Sequence, residues 1–242
     1  MHAEIWWKLT RSLFAAKMLP VDAAGGKHRH HRYTIARYYV NTFMESSIVQ
    51  DALNNTKNCA EIGDKHFLNF YAREGSCANK YAIDIKDPKA DVIMNLMEPD
   101  WTLPGVVRGR YDAIVMNEVL EHIQQPEVAI KTLSELLSPG GVLIMTTPFL
   151  VNFHANPDDH NRYTPSAIRL MLKHAGLQPK VVEGRGNWLA ATGYAAGFGS
   201  DELKTSQLDD KDWLEGNARP FHVTVVAIGY KEMADDRKEY NY

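Results

Sequence analysis

Two short stretches of the chain set carboxyl and imidazole groups at spacings suited to proton transfer. Glu118 and His122 stand four residues apart, which puts both on one face of a helical turn. His154 and Asp158 repeat that spacing in a polar stretch that also holds Asp159, His160, Arg162 and Tyr163. A histidine beside a carboxylate can take the proton of a hydroxyl group while the acid orients the ring. His154 reads as such a base, Asp158 as the group that orients it or holds a sugar hydroxyl, and His122 as a second candidate base. Asp159 and His160 are equally placed by sequence. Plainer readings stand beside these: a loop histidine bonding to backbone, Arg162 in a salt bridge, Tyr163 as a packed ring.

A second group of polar residues recurs where apolar runs end. Glu61, Gly63 and Asp64 close the run 59–62, and Asp84 lies near the end of 80–85. Asn95 follows 91–94, and Asn117 and Glu118 follow 112–116. Ligands of open α/β sheets bind outside the carboxyl ends of the strands, so this set could hold a nucleoside. Asp84 follows Gly63 by 21 residues, close to the spacing at which an acid accepts from both ribose hydroxyls. A glycine at 63 would let a ligand approach the backbone, although one glycine in a strand-to-helix turn is also ordinary turn chemistry.

The elements that must position these groups are organised around 111–148, which reads as strand, polar turn, helix, tight turn and strand. That is one βαβ unit, so the sheet is parallel there. Ala129, Leu133, Leu136 and Leu137 share a helical face, Pro126 suits the first turn, and Ser138-Pro139-Gly140-Gly141 is expected to stop the helix before a strand at 142–147. Upstream, a helical pattern at 33–53 leads to the strands 59–62, 80–85 and 91–94, with a short helix at 66–73 and a loop at 98–109. Downstream, Thr164 as N-cap, Pro165 at the first position and Gly176 beyond the end frame another helix. Strands are expected at 180–183 and 221–230. The stretch 184–220 reads as an insertion whose Asn187, Trp188, Tyr194, Phe198 and Trp213 either pack or close over an acceptor, with Trp188 chosen for that contact.

The chain divides into an amphipathic helix and basic turn at 1–32, a main domain at 33–230 and a charged tail at 231–242. The first helix, over 4–19, suits packing on the domain, a membrane surface or a second subunit, which makes a homodimer one expectation. His28, His30 and His31 meet no second ligand cluster, and no metal is assigned. With 242 residues and 45% hydrophobic content the chain can bury a core without disulfides or metal. Cys59 and Cys77 make no disulfide framework, which points to a reducing, soluble, cytoplasmic setting. No apolar run nears the roughly 20 residues that span a bilayer. A net charge of -3 speaks against nucleic acid and for small-molecule or glycan chemistry. Neither GxGxxG nor a Tyr-x-x-x-Lys pair is present, which disfavours a dinucleotide oxidoreductase.

The order of these pieces resembles the class I S-adenosylmethionine-dependent methyltransferases over about 33–230. AEIGD stands at the family's first motif, YAID at its ribose acid, and DAIVMNEVLEHI with LSPGGVLIMTTP is the most specific likeness. The resemblance implies a Rossmann-like α/β fold, with a seven-stranded sheet parallel but for one strand and S-adenosylmethionine over the first and fourth strands. It places Glu61, Gly63 and Asp64 at the methionine part, Asp84 with Ile85 at the ribose, Asn95 or Leu96 at the adenine, and Asn117 with Glu118 near the sulfonium, S-adenosylhomocysteine being the product. HxxPxDxxRYTP from His154 and GNWLAA from Gly186 look like a type 11-like branch associated with methylation of sugars, glycans or secondary metabolites. On that likeness Asp159, His160, Arg162, Tyr163 and Trp188 are expected to meet the acceptor. One departure is Gly63-Asp64-Lys65-His66-Phe67, which lacks the family's second and third glycines. It motivates the competing reading of a methyltransferase-like binding module with little or no turnover.

Overall fold

The computed structural model describes residues 33–155, 157–208 and 221–233, so the expected N-terminal helix with its dimer contact, the basic turn and most of the tail lie outside the described residues. Helix α1, Ile35–Glu45, starts where the Thr34 side chain accepts from the Arg37 N–H at 3.1 Å, and it buries Ile35, Tyr39, Val40, Phe43 and Met44. α2, Ser47–Leu53, follows directly. β1, Asn58–Ile62, α3, His66–Tyr71, β2, Asn79–Asp84, and the two-residue β3, Val92–Ile93, come next. β4, Tyr111–Asn117, a 3₁₀ turn at Leu120–His122, α4, Pro126–Leu136, and β5, Leu137–Pro148, form the expected βαβ unit.

The strand order is β3-β2-β1-β4-β5-β7-β6, where β6 is Leu177–Arg185 and β7 is Thr224–Lys231. β1 pairs in parallel with β2 and β4, β2 with β3, and β4 with β5, while β7 lies antiparallel between β5 and β6. The order reverses between β1 and β4, the switch point at which such sheets open a crevice. Side chains alternate between faces: Ile114, Met116, Leu143 and Met145 join α4 and α5, Pro165–His174, on one side. Ala113, Val115, Val142 and Ile144 meet α1, α2 and α3 on the other. With both faces covered, the central strands are apolar throughout.

Ser138-Pro139-Gly140-Gly141 does not lie between helix and strand as expected; it belongs to β5 itself. Tyr111 pairs with Leu137 and Ala113 with Val142, so the segment is an irregularity in the ladder. Gly140 has φ +77°, and a Cβ at Gly141 would stand 2.8 Å from the Ser138 carbonyl oxygen. α5 matches its expectation: the Thr164 side chain accepts from the Ala167 N–H, Pro165 leads, and Gly176 takes φ +77°. The insertion contributes α6, Trp188–Ala195, a 3₁₀ turn at Ser200–Glu202 and α7, Thr205–Leu208, whose Ala190, Ala191, Leu203 and Leu208 pack on Ile35, Ala36 and Tyr39.

The cysteines overturn their expectation. Cys59 and Cys77 form a disulfide, with Cα atoms 5.2 Å apart. Separated by 18 residues, they meet because β1 and β2 are parallel neighbours and Cys77 lies just before the pair Asn58 and Asn79. Cysteine usage therefore no longer argues for a reducing compartment. Among the described residues, no helix is long and apolar enough to cross a membrane.

Candidate active site

At the switch point the chain leaves β1 through Gly63, whose φ of +100° and empty Cβ direction suit glycine. The next residues fold α3 into place. Asp64 accepts from the His66 N–H at 3.0 Å, and the Glu61 carboxylate accepts from the Phe67 and Leu68 N–H groups at 3.1 and 2.8 Å. Glu61 is 3% exposed, and burial raises its pKa to about 7 despite those two bonds. Both its oxygens are therefore engaged in holding the helix. Lys65, standing where a second glycine was expected, directs its ammonium to Asp91 at 2.8 Å.

Gly63, Asp84, Ile85, Asn95 and Leu96 come together in the wall of one cavity of about 280 Å³, with Met94, Met97, Ile123 and His122. Asp84 accepts from the Lys86 and Asp87 N–H groups through Oδ1, both at 2.8 Å, and its Oδ2 has no partner among the described residues. Asn95 accepts from the Met97 N–H at 3.0 Å, shaping the loop after β3. Asp64 instead lines a neighbouring cavity with Arg37, His66 and Phe70. Asn117, the last residue of β4, is 8% exposed, and neither its side-chain oxygen nor its nitrogen has a hydrogen-bond partner among the described residues.

Glu118 turns the chain with φ +53°, a left-handed conformation that only a few per cent of non-glycine residues adopt. Its carboxylate accepts from the Thr146 hydroxyl at 2.9 Å; burial, then the nearby Glu121, raises its pKa to about 7. Glu118 lines a second cavity, of about 370 Å³, with Thr34, Arg37, Asn152, Phe153, His154 and Tyr194. From the insertion, Tyr194 rather than the chosen Trp188 stands in this wall.

The loop after β5 carries His154, whose side chain is 43% exposed. Its backbone N–H donates to Asp159 at 2.9 Å, and Asp159 in turn is gripped by the Arg162 guanidinium, which holds its pKa well below the usual carboxylate range. The carboxylate that holds the His154 backbone is thus Asp159, with an oxygen 3.5 Å from His154 Nδ1, whereas Asp158 offers its backbone carbonyl to His122 Nδ1. Tyr163 is buried and donates to the Leu120 carbonyl at 3.3 Å, a structural position. His160 is exposed, and its backbone N–H donates to the Glu121 carbonyl at 2.8 Å.

Glu121, absent from the sequence-derived candidates, lies at the centre. It is fully buried, and neither carboxylate oxygen has a hydrogen-bond partner among the described residues. Burial raises its pKa to about 7. Its Oε1 lies 3.5 Å from His122 Nε2 and 3.6 Å from His154 Nε2, and the two rings meet edge to face at 5.1 Å. Each imidazole has its Nδ1 on a backbone carbonyl, that of Asp158 for His122 and that of Asn152 for His154 at 3.1 Å. A carbonyl only accepts, so Nδ1 is the donor, which in the neutral ring leaves the lone pair on Nε2. The signal was present in the sequence as the second carboxylate of Asn-Glu-Val-Leu-Glu-His.

A methyltransferase-domain family matches residues 52–182, more than half of the chain. Comparison with curated protein sequences gives no match. Among solved structures, an S-adenosylmethionine-dependent methyltransferase from Mesorhizobium loti is similar at 14% identity and a TM-score of 0.52, over 81% of this chain and 98% of that one. The [4+2]-cyclase SpnF is similar at 14% identity and a TM-score of 0.53, over 95% and 94%. At such identities the structures speak to fold; with the family match covering both sides of the crevice, from α2 to β6, the chain belongs to the methyltransferase-domain family and is an S-adenosylmethionine-dependent methyltransferase.

Proposed function

We propose that the protein transfers the methyl group of S-adenosylmethionine to a hydroxyl of a sugar, glycan or glycosylated metabolite. The observation that carries this reading is the His154 imidazole in the wall of the second cavity, its Nδ1 held on a backbone carbonyl so that Nε2 is left to accept a proton. An amine can accept a methyl group through its own lone pair, whereas a hydroxyl must lose its proton, and a positioned base contributes about 100-fold to 10,000-fold to that step.

The first cavity fits the cofactor. Asp84 has an open carboxylate oxygen for a ribose diol, and Asn95 and Leu96 line the wall where a base would lie; Asn117, at the end of β4, adds a buried amide without a hydrogen-bond partner among the described residues. The cofactor supplies a methyl group already activated on its sulfonium, so the chain's task is alignment and exclusion of water. His154 faces the second cavity and takes the hydroxyl proton at Nε2, while Asp159 holds its backbone and the Asn152 carbonyl fixes its ring. Glu121 stabilises the resulting imidazolium from 3.6 Å. Asn152 and Tyr194 offer polar and stacking contacts to a sugar.

The competing reading of an inactive binding module drew on the missing glycines. Lys65 turns its charge to Asp91, away from the first cavity, so its side chain leaves the approach open. The test is transfer of radiolabelled methyl groups to a panel of nucleotide sugars, oligosaccharides and amines. Label on a hydroxyl, lost in His154→Ala with S-adenosylhomocysteine affinity unchanged, supports the reading; label on amines alone, or normal turnover in His154→Ala, overturns it.

A further inference from the structure

We propose that Glu121, His122 and His154 together hold a divalent transition-metal ion in the wall between the two cavities. One donor atom from each of the three lies within 4.8 Å of the others. The carboxylate oxygen faces both Nε2 atoms at 3.5 and 3.6 Å, too far for hydrogen bonds. Donors bound about 2.0–2.1 Å from one ion stand roughly 3.0–3.4 Å from each other, so small side-chain shifts would close the triangle.

The second observation is the state of the donors. Glu121 is fully buried and neither oxygen has a hydrogen-bond partner among the described residues, which is costly for a carboxylate unless a cation or proton meets it. Nδ1 of each histidine is fixed on a backbone carbonyl, the outer-shell arrangement that commits Nε2 to a metal. Three potential ligand atoms, one carboxylate oxygen and two imidazole nitrogens, therefore converge. Two histidines and one carboxylate suit zinc, iron or manganese and leave coordination positions open.

His122 lines the first cavity and His154 the second, so the open positions lie where methyl donor and acceptor would meet. This role, though not the binding itself, rests on the methyltransfer reading. It narrows the acceptor to one with two neighbouring oxygens, such as a vicinal diol, that can complete the ion's shell. With an ion present, His154 would serve as ligand in place of base, and the ion would lower the pKa of a bound acceptor hydroxyl so that its proton could leave to solvent.

The test uses the full chain, stripped with EDTA and titrated with Mn²⁺ alone while electron paramagnetic resonance follows the free ion. We expect one ion per chain, displaced by Zn²⁺. Glu121→Gln and His154→Ala should each weaken it by about tenfold or more. The triple variant His28→Ala, His30→Ala, His31→Ala should bind as the parent does. Far-ultraviolet circular dichroism and S-adenosylhomocysteine titration of the same stripped proteins report folding and the cofactor site separately. No binding by the parent, or binding that survives in folded Glu121→Gln and His154→Ala, overturns the proposal; so does binding lost in the triple variant alone. Turnover that falls on chelation and returns with Mn²⁺ supports the ion's place in the reaction, and turnover indifferent to it overturns that role.

Discussion

Asp84 and Asn117 carry the clearest prediction at the scale of single residues. Asp84→Ala removes the open carboxylate oxygen from the first cavity, and S-adenosylhomocysteine should bind roughly tenfold to a hundredfold more weakly by calorimetry. Asn117→Leu fills the same volume without an amide; if the unpartnered atoms serve the cofactor, affinity falls while stability holds or rises, because the buried polar atoms are gone. Several of these residues were legible from position alone. Gly63, Asp84, Ile85, Asn95 and Leu96 meet in one cavity because the carboxyl ends of adjacent parallel strands must be neighbours. Glu121 was not legible, since its significance lies in full burial, which follows from how β4 turns at Glu118. Nor can sequence choose between Asp158 and Asp159: adjacent in the chain, they differ only in which one Arg162 reaches.

Among the elements, α3 depends on Glu61 more than on its own six residues, too few to be stable as an isolated helix. The folded-state pKa of Glu61 is about 7 against an ordinary 4.5, so the folded protein binds its proton more tightly than the unfolded chain does. That contribution is fully present below pH 4.5 and disappears as pH rises through 7; it amounts to roughly 3 kcal/mol. Urea unfolding at pH 5 and pH 8.5 should show this loss in the parent and a smaller one in Glu61→Gln. In β5, Gly141→Ala forces a Cβ to 2.8 Å from the Ser138 oxygen and should cost about 1–3 kcal/mol by the same measurement. The glycine pair signalled an interruption in the sequence. Whether it fell between elements or inside a ladder was set by the pairing of Tyr111 with Leu137, a partner 26 residues away that local pattern does not encode.

For the molecule as a whole, the Cys59–Cys77 bond ties the start of β1 to the approach of β2 and closes a loop across 18 residues. Chain-entropy reasoning gives about 3 kcal/mol for such a loop. Reduction, or Cys59→Ser with Cys77→Ser, should lower the thermal midpoint in calorimetry without changing the fold. The sheet order was legible because alternating strands and helices admit few arrangements and the family likeness selects among them, whereas the disulfide was hidden until β1 and β2 were seen to lie side by side.

The position of Glu121 has a further consequence. Its one oxygen faces His122, in the wall of the first cavity, and His154, in the wall of the second. On the proposed reading, whatever alters charge or spacing at one imidazole should be felt by the other through that shared atom. Occupancy of the cofactor site should change acceptor affinity, and the acceptor should change cofactor affinity by the same factor. The three side chains at the partition would then act as the hinge of an ordered encounter, reporting to each ligand whether the other has arrived.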